Sequence, residues 1–116
     1  MVNANFKLKL IKDGKEKYID VILQEVSPFV AGDIFSSAID IKTGNYKMGT
    51  VAERGIEELV VSPKNLKEQI LEAENPFEII AKLFSEFQKF CQKPKQYALL
   101  QTESQTKHKN LEHSDS

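Results

Sequence analysis

Arginine, cysteine, histidine and excess charge are all scarce in this chain of 116 residues, and each scarcity excludes something. Cys91 is the only cysteine, so no intrachain disulfide can form, and with no second thiol nearby a zinc or iron–sulfur cage has no ligand set. A reducing cytoplasm fits that usage. Arg54 is the only arginine, and the net charge is −1. A protein devoted to nucleic acid usually carries a basic excess, with arginine forks for phosphates and base edges. The two histidines, His108 and His113, stand in a polar stretch without the His-x3-His spacing of a metal site. No long apolar run occurs. The opening MVNANFKLKLIKDG alternates apolar and charged residues, which fits neither a secretion signal nor a membrane span. Gly44, Gly49 and Gly55 are isolated and make no phosphate-cradling loop.

What is present is an amphipathic α+β pattern. Phe6, Leu8 and Leu10 alternate with Lys7 and Lys9, the period of a strand with one dry face. Asp13-Gly14 supplies the positive φ angles of a tight turn, and Lys17 to Val26 reads as the return strand. A lone hairpin is barely stable in water, so its apolar side must pack on the helices that follow. Ser27-Pro28 is a cap-plus-proline signal for a helix over 29–41, with Val30, Ile34, Ala38 and Ile41 along one side. The alternative there is a second hairpin through SSAIDIKTGNYKMG. A helix over 50–60 follows, with Thr50 as cap and Glu53 at capping-box spacing, and Ser62-Pro63 ends it. Asn65 opens a short helix to Ala73 with Leu66, Ile70 and Leu71 inward.

Asn75-Pro76 then opens the longest helix, from Phe77 to about Gln92. Phe77, Ile80, Leu83, Phe84, Phe87, Phe90 and Cys91 recur at three and four, with Glu78, Lys82, Ser85, Glu86 and Lys89 on the other face. The expected architecture is an N-terminal antiparallel hairpin packed on a small helical bundle. One domain over 1–94 would be followed by a disordered polar tail over 95–116.

Candidate chemistry is thin. Cys91 sits on the apolar helix face, away from any histidine partner, and reads as a small core residue. Asp33, Asp40, Glu53, Glu57 and Glu58 are lone carboxylates with nothing to tune them into acid–base catalysts. Lys7, Lys9, Lys12, Lys15 and Lys17 make the hairpin basic, but Asp13, Glu16 and Asp20 dilute them, and lysines commonly protect strand edges. The aromatic helix therefore carries the functional question. Its four phenylalanines either fill the core or leave part of a stripe free for a client helix or a second copy.

Three stretches, FKLKLIKDGKEKYIDV, AERGIEELVVSPKNL and PFEIIAKLFSEFQKF, lie in an order that resembles the tail assembly chaperones of long-tailed, siphovirus-like bacteriophages. The resemblance covers about Phe6 to Pro94. It implies a non-enzymatic role without cofactor: holding the hydrophobic tape-measure protein in the host bacterial cytoplasm until tail-tube subunits polymerise around it. It also implies a longer frameshifted product joined near the polar tail. The apolar stripes would carry the client surface, with Phe84, Phe87 and Phe90 foremost and Leu59 and Val60 as secondary contacts. A homo-oligomer is compatible with such a surface. A structural tail component (tube or completion protein) is the alternative, and a lysine-hairpin nucleic-acid binder a further one.

Overall fold

The structure, a computed structural model, describes residues 1–101. The chain opens with β1 (Asn3–Lys12) and β2 (Lys15–Gln24), paired antiparallel along their full length. Asp13 and Gly14 have φ of 54° and 73°, the two positive angles that let a two-residue turn follow the strand twist. Phe6, Leu8, Leu10, Val21 and Leu23 face inward and are buried, as the alternation predicts. Helices α1 (Pro28–Ser36) and α2 (Met48–Glu58), strand β3 (Val60–Ser62), and helices α3 (Leu66–Glu72) and α4 (Pro76–Gln92) follow. A fifth helix, α5, occupies 94–101. The sheet order is β1-β2-β3, so the fold is the expected α+β, with one strand more than the sequence pattern predicts.

That strand replaces the end of the helix expected over 50–60. The Gln24 amide donates to the Leu59 carbonyl at 2.9 Å, which draws the chain onto β2 as soon as α2 ends, and the β-branched Val60-Val61 suits a strand. Thr50 is not the cap either. The helix begins at Met48, where Lys47 is extended and its amide is held by the Ala38 carbonyl at 2.7 Å. The two readings of the region after Ser27 are each partly realised. Ser27 caps α1 by accepting from the Phe29 amide at 3.2 Å, but the helix stops at Ser36. Beyond it, Ile39 and Tyr46 form a single antiparallel bridge around a turn closed by Gly44, with φ 74°. Ile41 therefore points to solvent instead of lying on a helix face, and Leu71 of α3 is likewise exposed.

Asn75 does something other than cap α4. Its side-chain oxygen accepts from the Ile11 amide at 2.9 Å and its nitrogen donates to the Lys9 carbonyl at 3.1 Å, while the Glu74 amide donates to the Ile11 carbonyl at 2.8 Å. The linker thus closes one end of the outer edge of β1. The core forms where the hairpin meets α2 and α4: Val51, Ala52 and Leu59 from the α2 segment against Ile79, Leu83, Phe87 and Phe90. Tyr97 of α5 joins it, edge-on to Phe90 with ring centroids 5.5 Å apart. Pro94, expected as the domain end, opens the helix that carries Tyr97 into this core. The part of the expected tail from residue 102 onward lies outside the described residues.

Candidate functional site

The four rings of α4 divide between two neighbouring stripes. Ile79, Leu83, Glu86, Phe87 and Phe90 form the buried one. Phe77, Ile80, Phe84, Gln88 and Cys91 form a second, and every member of it keeps some exposure, Phe77 as much as 73%. The apolar arc is wider than the core can cover, so one side of it stays at the surface.

This division corrects the expected client surface. Phe87 is 0% exposed, and Phe90 and Leu59 1% each, so none of the three is offered to a partner. The physical reason is the close approach of α2 and α4. Phe87 lies across Gly55, where a built Cβ would overlap Cδ2 and Cε2 of the ring and reach Cγ at 3.0 Å. Val60 is half-buried in β3, packed on the core. Phe84 alone of the three phenylalanines reaches the surface.

Phe84 is the end of an aromatic chain that leads into a groove. Its ring lies 6.2 Å from Tyr46, and Tyr46 stands edge-on to Phe35 at 5.6 Å. The one-bridge turn at Ile39–Tyr46 is what sets Tyr46 there. Helix α1 leans on α2 and stands off α4, and the gap is an open groove of about 320 Å³. One wall is Pro28, Ala31, Gly32 and Phe35, at the i, i+3, i+4, i+7 positions of a single helix face. The other is Gln88, Cys91 and Gln92 of α4. A second hollow of about 200 Å³ continues it past Pro28 and Cys91, with Leu59 and Phe90 beneath and Glu25 and Pro94 at its end. No charged side chain lines the first hollow. Sequence reasoning missed the α1 wall because Ala31 and Gly32 carry almost no hydrophobic signal; their spacing from Phe35 was the available clue.

The groove offers little chemistry. Burial pushes the Cys91 thiol up to about 11, so it keeps its proton at neutral pH and is a poor nucleophile. Glu86, which periodicity places on the wet face, is 5% exposed and structural. It accepts from the Tyr97 hydroxyl at 2.5 Å and pairs with Lys82 at 3.1 Å, fastening α5 to α4. Burial, and then the hydrogen bond to Glu86, push the Tyr97 hydroxyl well above the ordinary tyrosine range. Among the described residues no three His, Cys, Asp or Glu side chains gather as a metal site, and no helix is long and apolar enough to cross a membrane.

Three of the five hairpin lysines are held in ion pairs. Lys7 pairs with Asp20 at 2.8 Å, Lys12 with Glu72 at 3.3 Å, and Lys9 with Glu78 at 3.1 Å. The hydrogen bond to Glu78 holds Lys9 above the ordinary lysine range, and the same bond holds Glu78 below the usual carboxylate range. A phosphate at Lys7, Lys9 or Lys12 would have to displace these carboxylates. No protein-family model, curated protein or solved structure matches this chain.

Proposed function

We propose that this protein is a non-enzymatic assembly chaperone whose groove between α1 and α4 takes up an apolar helix of a client. The client is the tape-measure protein of a long-tailed phage, held in the host cytoplasm until the tail tube forms around it. The observation that carries the reading is the groove itself: open, uncharged in its main hollow, and edged by the rings of Phe35 and Tyr46, with the half-buried Phe84 ring against Tyr46. An amphipathic helix laid into such a groove is a common mode of peptide recognition. The glutamines along the α4 wall suit polar residues flanking the client's apolar stripe. The client surface is therefore Phe84 with Phe35, Tyr46 and the Ala31–Gly32 wall, while Phe87, Phe90 and Leu59 support it from below.

Gly32 provides a test that leaves the fold alone. Nothing lies within 4 Å of where its Cβ would project, so Gly32→Glu places a charge in the groove without a clash. It also removes a glycine from a helix interior, a gain of a few tenths to about 1 kcal/mol. Co-expression of the native chain with a tape-measure fragment is expected to raise that fragment's soluble yield, and Gly32→Glu to abolish the gain with an unchanged or higher melting temperature. Equal rescue by both would contradict the reading. Recovery of the protein in purified particles would point instead to a structural tail component.

A further inference from the structure

The two outer edges of the sheet are unequal. β3 is three residues long, whereas β1 runs for ten and its outer edge is closed only at one end. The pairing register shows which groups face out. The Glu25 amide donates to the Val2 carbonyl at 2.8 Å, so even-numbered residues of β1 exchange their hydrogen bonds with β2. Odd-numbered residues turn theirs outward. Ile11 and the Lys9 carbonyl are taken by Glu74 and Asn75. Among the described residues, the amides and carbonyls of Asn3, Asn5 and Lys7 have no partner there.

We propose that this open edge pairs with the same edge of a second copy, antiparallel across a two-fold axis at Asn5. Three features select that occupant and that register. First, pairing about Asn5 sets Asn3 against the second copy's Lys7, and each facing pair exchanges both main-chain hydrogen bonds. Sliding the strands to centre on Lys7 would oppose two lysines, and centring on Phe6 would need the Lys9 carbonyl that Asn75 already holds. Second, the same register lays the small, half-buried Ala4 against the large Phe6 on the dry face, so both cores continue across the axis. Third, edge lysines usually repel a second strand, but here Asp20 neutralises Lys7 and Glu78 neutralises Lys9. Beside Lys7 and Lys9, a cleft of about 310 Å³ bounded by Glu78 and Lys82 leaves room for the second copy's N-terminal residues. The product is an isologous dimer with a six-stranded sheet running β3-β2-β1-β1-β2-β3. It is independent of the groove reading.

Sedimentation equilibrium of the full chain should give twice the 13.2 kDa chain mass, and Asn5→Pro should return it to the monomer. The Asn5 amide has no partner within the chain, so proline there removes no internal hydrogen bond, and an edge strand tolerates it. Asn5→Cys in a Cys91→Ala background gives a second readout. Facing α-carbons in a hydrogen-bonded pair lie about 5.5 Å apart, within disulfide reach. Mild oxidation should therefore cross-link Asn5→Cys as a dimer, and leave Tyr18→Cys, on the inner strand, uncross-linked. A native chain that stays monomeric, a dimer that survives Asn5→Pro, or an edge that pairs only with an added extended peptide would each overturn the proposal.

Discussion

Gly55 shows how a single residue inverts its meaning between sequence and structure. Read along the chain, it is a helix-weakening glycine worth about 1 kcal/mol against alanine. In the fold it is the position where α2 lets the Phe87 ring pass. Gly55→Ala is therefore expected to destabilise by about 1–3 kcal/mol, the usual cost of overpacking, despite alanine's better helix propensity. Urea unfolding checks the sign, and a stabilised variant would show that the ring is not confined there. Glu86 inverts in the same way. Periodicity put it on the polar face with Lys82, but its burial comes with Tyr97, which lies beyond a proline expected to end the domain. No local signal reaches across that break.

At the scale of elements, the hairpin and α4 were legible because their periodicities are long and their turn chemistry is specific. Asp13-Gly14 could form little else than the turn it forms. Strand β3 was not, since three residues carry too little alternation and Val60-Val61 reads equally as the end of a helix. The rotation of α4 was missed for a related reason. Its apolar arc is wide enough for two stripes, and periodicity alone does not say which one the sheet and α2 will cover. The contrast between stripes is measurable. Phe87→Ser should cost about 3–5 kcal/mol, as for other large-to-small core changes, a large share of a small domain's stability. Phe84→Ser should cost less than half of that, because its ring keeps part of its exposure in the native state. Thermal melts of the two variants decide it, and equal losses would place Phe84 in the core with Phe87.

The whole molecule joins a closed core to two open surfaces. Its helices and hairpin seal Phe87 and Phe90, and α1, standing off α4, opens a groove that the pattern did not outline. Phe84 packs on that core and against Tyr46 at the groove's edge, and its place in the α4 periodicity is why it was found from the chain alone while Phe35, Tyr46 and Gly32 were not. Gly32 and Phe35 share one face of α1, but Tyr46 joins them only through the bridge at Ile39–Tyr46, and the α4 wall faces them only through the α1–α4 spacing, both tertiary features. The most direct test of the groove is a titration of isotope-labelled protein with an amphipathic peptide from a tape-measure protein, followed residue by residue by NMR. The expected result is saturable shifts confined to Ala31, Gly32, Phe35, Tyr46, Phe84 and Cys91, with the β1 edge unmoved. Shifts centred on the hairpin lysines, or none at all, would contradict it.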